Sequence, residues 1–233
     1  MFSGKRSRGI AAAVAAIAVA GGSYGIVTAT SGSAATPAAS SSPAGGFGSG
    51  GASNARSGPA AGGSSGTVSR LISSGFTLTT SAGEKLTIKE TSSTTYQKGT
   101  SPATASAVTS GEPVLVLGTA DSTTVTATQV IMQPPSSSAS NPGGQVIPYA
   151  KGEQGSSEQV GQIPADYTQG SGTIVSGTAA DKATEAALAA YPGGLVDRVV
   201  ELSNGQYEVH YIGVNWPHHI FVNQDFQVIG ADD

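Results

Sequence analysis

Three stretches decide the fold: TAADKATEAALAAYPGG (178–194), LVDRVVELSNGQYEVHYI (195–212) and HIFVNQDFQVI (219–229). In the first, apolar residues recur at the three- and four-residue spacing of a helix. Thr178 and Asp181 have the Thr-x-x-acid spacing of a near capping box, and the acid offsets the positive start of a helix. The letters PGG at 192–194 end the run. The pattern predicts a helix of about three turns.

The second and third stretches alternate between apolar and polar residues, as strands with one buried face do. Residues 195–202 and 206–212 flank Asn204-Gly205, a strong signal for a tight hairpin. Two further runs within residues 219–229 are separated by a polar turn. The sequence therefore predicts an α+β module across residues 173–233, with one helix packed on an antiparallel four-stranded meander.

These residues also carry a family resemblance. The letters concerned are GTAADKA (177–183), YPGG (191–194), GQYEVH (205–210) and VNQDFQV (222–228). Over residues 177–230 the chain resembles a PepSY domain. The resemblance implies a non-catalytic, exported or membrane-tethered module that binds or restrains peptidases. One loop departs from the family pattern, because GVNWPHH (213–219) stands where many members have an Asp-Gly turn.

Residues 66–133 contain five or six short strand-like runs separated by turn signals. Such closely spaced strands predict an all-β unit, a small closed or nearly closed antiparallel barrel. The letters GTV (66–68), FTLTT (76–80), TTY (94–96), GEPVLV (111–116) and VTAT (125–128) resemble small OB-like β-barrels of exported bacterial proteins. Nucleic acid is not expected as a ligand, because the segment has four basic and four acidic residues and few aromatic platforms.

The segments beside the barrel have few groups that could form a core. Only 11% of the chain is charged, and Gly (33 residues) and Pro (12 residues) are abundant. Residues 30–65 and 134–172 are rich in small residues and proline, which predicts disordered linkers. Two apolar islands, 146–149 and 163–167, leave open that the second linker docks on a neighbouring domain, although a proline in each limits strand pairing.

Residues 1–29 have the pattern of an export signal. Lys5, Arg6 and Arg8 precede an apolar run, which places the charges in the cytoplasm. Small residues at 33–35 favour cleavage of a signal peptide, whereas the run is also long enough to stay as a membrane anchor, and both fates are open. The predicted location is extracytoplasmic, and the chain has no cysteine, so its folded parts stand without disulfides.

Acidity is concentrated in residues 173–233, where eight acidic and two basic residues give a net charge of −6. The charge fits a basic extracytoplasmic protein partner such as a peptidase, or divalent cations. It fits equally a solvated face that keeps a small domain soluble. We predict partner contacts in the loop 215–219 and on the acidic surface. The residues are Trp216, His218, His219, Glu201, Glu208 and Asp225. For Trp216, a surface recognition knob and a cap on the core are both open.

The histidines His210, His218 and His219 offer another class of function, a protein that responds to cations or to pH, because imidazole binds transition metals and titrates near neutrality. No metal site is predicted, however, since adjacent residues such as His218 and His219 point to opposite faces of a strand. No cofactor and no catalysis are predicted either, because the chain has no thiol and no phosphate-cradling glycine loop with a lysine. A purely structural, wall-associated protein is the third alternative.

Overall fold

The computed structural model describes residues 58–134 and 142–233, which belong to one compact unit, Gly48–Asp233. The predicted export signal or anchor, residues 1–29, and residues 30–57 of the first linker lie outside the described residues. Within the described part of the chain, no helix has the length and apolar character needed to cross a bilayer.

The secondary structure falls into two groups along the chain. The first group comprises β1 (Ala60–Ile72), β2 (Gly75–Thr79), β3 (Lys85–Lys89), β4 (Thr95–Lys98), β5 (Ser101–Ala103), a 3-10 turn (Ala105–Ala107), β6 (Pro113–Asp121) and β7 (Thr124–Met132). The second comprises β8 (Ile147–Pro148), β9 (Val160–Gly161), β10 (Thr173–Ile174), α1 (Thr178–Ala190), β11 (Leu195–Glu201), β12 (Tyr207–Ile212), β13 (Val214–Trp216), β14 (His219–Val222) and β15 (Val228–Asp232).

The first group forms a small closed β-barrel, as predicted. Five strands form the ring in the order β1, β2, β3, β7, β6 and back to β1. The inward-facing apolar side chains, among them Phe76, Leu78 and Ile88, are fully buried. The barrel is not wholly antiparallel, since β7 runs parallel to β3 and, further along, to β4. Alternation within a strand sets which face is buried but not the direction of its neighbour, so the parallel pairs were not predicted.

Strand β1 begins at Ala60, so residues 60–65 belong to the barrel and not to the predicted linker. Their letters AAGGSS lack the large apolar residues by which a strand is recognised. Close packing explains the composition, because a Cβ at Gly62 would collide with the carbonyl oxygen of Val196 and one at Gly63 with that of Val116. Small residues are therefore what this part of β1 needs.

The barrel and the C-terminal module share one sheet, and a few barrel side chains join the core of the module, whereas the barrel interior forms a separate buried cluster. Strand β1 pairs with β6 inside the barrel and also with β11, where Gly63 is opposite Val196 and Ser64 opposite Leu195. The barrel residues Leu115, Leu117 and Ile131 belong to the same buried cluster as the side chains of α1. The observed arrangement therefore differs from the predicted one, in which a disordered linker joins two separate modules.

The module has the predicted helix and four-stranded meander, with β11, β12, β14 and β15 paired antiparallel in that order. Helix α1 covers one face with buried Ala180, Ala183, Ala187 and Leu188. The predicted capping role of Thr178 is wrong, because Gly177 is the N-cap and Thr178 is the first helical residue. Gly177 has a φ of 73°, a backbone conformation that glycine adopts without strain.

Much of the segment predicted as the second linker docks on the module. Strand β8 pairs with β13, and β9 pairs with β15. The indole Nε1 of Trp216 donates a hydrogen bond to the Glu158 carbonyl oxygen at 2.7 Å. The first apolar island, 146–149, therefore contains an edge segment, the option that the sequence left open. The second island, 163–167, forms no strand, but its Ile163 and Tyr167 pack against buried apolar side chains. We call residues 159–167, which lie across the sheet face opposite α1, the strap.

Candidate functional site

A cluster of charged and ionisable side chains lies, largely buried, on the sheet face opposite α1. Its members come from three neighbouring strands: Asp197 and Arg198 from β11, Glu208 and His210 from β12, and His219 from β14. His210 is directly opposite Arg198 on one side and opposite His219 on the other. The exposed fractions of Arg198, Glu208 and His219 are only 5%, 1% and 3%.

Two imidazole–carboxylate pairs form the centre of this cluster. Nδ1 of His210 lies 2.6 Å from Oδ1 of Asp197, and Nδ1 of His219 lies 2.7 Å from Oε1 of Glu208. Because an ionised carboxylate only accepts hydrogen bonds, we assign the Nδ1–H tautomer to both rings. The ring centroids are 5.1 Å apart, and the rings meet edge to face.

Arg198 connects the two pairs. Its guanidinium lies 3.5 Å from an Asp197 oxygen and 4.0 Å from Oε1 of Glu208. The pairing of β11 with β12 is shifted between Val196 and Arg198, and such an irregularity re-aims the side chain beside it, here Asp197. A buried cation with two carboxylates satisfies the rule that buried charges are paired.

Burial lowers the pKa of His210 from its ordinary value, because a buried ring is costly to charge. The hydrogen bond and negative charge of Asp197 act in the opposite direction but do not outweigh burial, while the charges of Arg198 and His219 add to the lowering. His210 therefore favours its neutral form more strongly than a free imidazole does.

Tyr167 links the strap to this cluster. Its hydroxyl lies 3.1 Å from Nδ1 of His219, and its ring packs edge-on against Phe221 with centroids 4.7 Å apart. Burial, together with the negative charges of Glu208 and Asp232, raises the pKa of the Tyr167 phenol. The hydroxyl therefore keeps its proton, and the strap is held by a neutral aromatic side chain.

A groove opens beside the strap at the end of β11. It has a volume of about 350 Å³, and its lining residues are Asp166, Tyr167, Ser171, Gly172, Thr173, Glu201, Leu202 and Ser203. The Asp166 carboxylate accepts a hydrogen bond from the Ser203 hydroxyl at 2.6 Å. Glu201 is exposed. The groove thus combines two carboxylates with part of an apolar wall.

The predicted contact residues do not form one exposed surface. Glu208 and His219 are buried, and the Trp216 side chain is fully buried, with its ring edge-on to Tyr191 at 5.7 Å. The recognition-knob interpretation of Trp216 is therefore wrong, and its alternative, a cap on the core, is confirmed. Packing of the loop against residues 142–158, which local sequence does not reveal, buries the indole.

Three of the six predicted residues are accessible, but at different places. Glu201 and Asp225 are exposed, whereas the His218 side chain is 37% exposed. His218 precedes β14, and Asp225 lies in the turn after it, so the two flank opposite ends of that strand. The predicted contact residues therefore do not form a single surface, because β14 lies between His218 and Asp225.

The three histidines do not form one metal site. His210 and His219 are neighbours, whereas the Nε2 of His218 is 2.9 Å from the Val214 carbonyl oxygen and its Nδ1 is 3.6 Å from Asp233. Within residues 58–134 and 142–233, no three His, Cys, Asp or Glu side chains are grouped as ligands for a metal ion.

Sequence reasoning missed Asp197, Arg198, Asp166 and Tyr167. A signal did exist for the first two, since a charged pair interrupts an apolar strand between Val196 and Val199. Ser64 also occupies the serine position of a Gly-x-Ser-x-Gly match, GGSSG (62–66). It is fully buried in β1 and donates to the Gly194 carbonyl oxygen, so it is not an accessible nucleophile.

Comparison with known proteins does not assign the chain to a family. No protein-family model matches it, and no curated protein or solved structure is significantly similar. The PepSY-like and OB-like resemblances therefore stay predictions.

Proposed function

We propose that the chain is a non-catalytic, exported or membrane-tethered envelope protein whose acidic C-terminal module binds a basic segment of a protein partner such as a peptidase. The observation that carries this proposal is the groove between the strap and the end of β11, where Asp166 and Glu201 lie beside Tyr167 and Leu202. Carboxylates flanked by an aromatic ring and an aliphatic side chain suit an arginine or lysine, whose stem is apolar and whose head is charged.

Charge and arrangement support the same class of function. The net charge of −6 across residues 173–233 favours fast encounter with a basic partner. One helix on an antiparallel meander is also the arrangement that the PepSY-like resemblance implies. For the barrel, the ring order β1, β2, β3, β7, β6 supports the OB-like interpretation, with the barrel acting as a rigid support for the module.

Binding by the full-length chain tests this proposal. The purified full-length chain is incubated with envelope extract at low salt and at about 0.5 M salt, because salt screening removes contacts that depend only on diffuse charge. A bound protein that survives the salt wash is then titrated against the double variant Asp166→Asn, Glu201→Gln. We expect at least tenfold weaker binding, since the variant removes both charges from the groove and keeps groups of similar shape.

Asp225→Asn provides the matched control, because Asp225 is an exposed carboxylate of the same module that does not line the groove. Binding by this control is expected to change less than twofold. Equal losses in both variants would mean diffuse attraction to the whole module, which contradicts a groove. If no protein survives the salt wash, the binding proposal fails and the structural, wall-associated alternative takes its place.

A further inference from the structure

The outer face of the meander carries a strip of apolar side chains beside the charged cluster. Val200, Leu202 and Phe221 are buried there, and the residues packed against them are Ile163, Tyr167 and Ile229. Two of these three, Ile163 and Tyr167, belong to the strap. The strap therefore shields an apolar strip that α1, on the other face, does not reach.

The strap is held by few contacts. Its backbone pairs with β15 at two positions, Val160 with Ala231 and Gly161 with Gly230, and Gln162 N–H donates to the Ile229 carbonyl oxygen at 2.7 Å. Val160 and Gly161, which form β9, are the only strap residues in a strand. A segment with so little hydrogen-bonded structure opens at a lower free-energy cost than the barrel or α1.

Titratable groups hold much of the rest of the strap. Tyr167 contacts His219, Asp166 accepts from Ser203, and Gln159 Nε2 is 3.5 Å from Asp232 Oδ2. Behind Tyr167, His219 is in contact with the His210 ring. Protonation of His210 therefore adds a charge beside the residue that Tyr167 contacts.

The charges around the two rings determine how acid acts. Asp197 and Arg198 face the rings from β11, and Glu208 faces them from β12. Tyr167 faces them from the strap, and the negative charge of Asp232 on β15 raises the pKa of Tyr167. With both rings neutral, one cation faces two carboxylates, of which Glu208 is buried and Asp197 is partly exposed. A proton on His210 places a second cation beside Arg198, with the ring centroid 5.1 Å from that of His219, in a cluster that is largely shielded from water. Water reaching the His210 ring would stabilise that charge.

We propose that the strap is an acid-released cover: protonation of His210, whose ring packs against His219, the residue that Tyr167 contacts, detaches Tyr167, and the strip Val200, Leu202 and Phe221 becomes exposed while the barrel and α1 stay folded. The lowered pKa of His210 supports the direction, since opening restores hydration to a ring that burial keeps neutral. Release would also dismantle the groove that Asp166 and Tyr167 line. The cover nevertheless stands independently of any partner, and its test uses none.

Amide hydrogen exchange on the full-length, unaltered chain is the first test. Protection factors corrected for the intrinsic pH dependence are compared at pH 7.5 and 5.5. We expect those of the strap amides Gln162 and Tyr167 to fall at least tenfold at the lower pH, and those within α1 and β2 to change less than twofold. An unchanged strap, or an equal loss throughout, would overturn the proposal.

Thiol labelling gives a second, independent readout, because the chain has no cysteine of its own. Val200→Cys places a thiol under the strap, and Val199→Cys places one on the adjacent residue, which belongs to the core cluster under α1. A disulfide reagent active at both pH values is used, with rates normalised to a free thiol peptide. Acid is expected to accelerate labelling at position 200 at least tenfold and at position 199 less than twofold. Equal acceleration at both positions contradicts local release.

Histidine variants then test the cause of release. The glutamine of the His210→Gln variant can still donate a hydrogen bond to Asp197. In this variant, the fall in strap protection factors between pH 7.5 and 5.5 is expected to be at least threefold smaller. His218→Gln is the matched control, since His218 contacts Val214 and Asp233 and not the cluster, and its response should equal that of the unaltered chain. An undiminished response in His210→Gln would overturn the assignment of the proton to His210.

Discussion

Ser64 and Gly194 are 130 positions apart in the chain, and the Ser64 hydroxyl donates a hydrogen bond to the Gly194 carbonyl oxygen at 3.0 Å. Ser64 is fully buried on β1, at the register where β1 meets β11. The bond therefore ties the barrel to the residue just before β11. Because barrel side chains also belong to the core cluster of the module, we expect the barrel and the module to unfold in one cooperative transition.

Replacing Ser64 with Ala tests this junction. The variant leaves a buried carbonyl oxygen without its partner, and we expect the free energy of unfolding to fall by about 1–3 kcal/mol. Urea denaturation followed by circular dichroism measures the change. Ser69→Ala is the control, since Ser69 lies on the same strand with an exposed hydroxyl and should cost less than about 0.5 kcal/mol. Equal costs for the two variants would contradict the junction.

Gly62→Ala tests the close approach of β1 to β11. The added Cβ meets the Val196 carbonyl oxygen, a backbone atom that cannot move aside. We expect a loss of about 2 kcal/mol or more, because overpacking forces the strands apart. Ser65→Ala, a partly buried position of the same strand, should change the thermal midpoint little. A Gly62→Ala variant as stable as Ser65→Ala would show that the two strands are not in contact there.

Thr184 and Thr94 make a matched pair of buried hydroxyls. The Oγ1 of Thr184 on α1 has no hydrogen-bond partner, whereas that of Thr94 donates to the Ala127 carbonyl oxygen at 2.8 Å. Thr184→Val should therefore be neutral or stabilise the fold by up to about 1 kcal/mol, because it removes an unsatisfied polar group. Thr94→Val should destabilise by about 1–3 kcal/mol. The reverse order in denaturant midpoints would contradict both hydrogen-bond assignments.

His210 makes stability depend on pH. Burial lowers its folded-state pKa below 6.5, so between that pKa and 6.5 the unfolded chain binds more protons. The free energy of unfolding should consequently fall as the pH drops below 6.5, by at most about 1.4 kcal/mol per pH unit for one proton. The carboxyls of Glu90 and Asp181 act oppositely, because burial raises their pKa and acid then favours the folded state.

Urea midpoints between pH 8 and 5 measure this slope. His210→Gln should flatten it, because the variant cannot take up the proton, whereas His218→Gln should keep it. A slope identical in the unaltered chain and in His210→Gln would assign the pH dependence to other groups.

Local patterns predicted much of the secondary structure. The spacing of Ala183, Ala187 and Leu188 predicted the helix observed as Thr178–Ala190, and alternation predicted the meander with its hairpin at Asn204-Gly205. The exposure of Glu201 and Asp225 also agrees with their prediction as surface residues. These features repeat over a few residues, so neighbouring letters suffice to identify them.

The candidate site itself could be predicted only in part. Glu208 and His219 lie on strands that the sequence predicts, yet both were expected at the surface and both are buried. Tyr167, which contacts His219, belongs to the strap, and the strap has the composition of a linker. Asp197 and Arg198 were not predicted as site residues, because a charged pair in a strand indicates a solvent-exposed face unless the partners of the charges are known.

The sequence alone determined the helix, the strands of the meander, the small barrel and the acidity of the C-terminal module, because periodicity and composition are local properties. Only the tertiary structure decided that β1 joins barrel and module, that the strap covers the outer face, and that His210 and His219 meet between carboxylates. Each of these depends on segments far apart in the chain, such as residues 63 and 196, whose pairing no local pattern records. Burial of a charge is the same kind of property, since it is decided by whichever distant segment excludes the water.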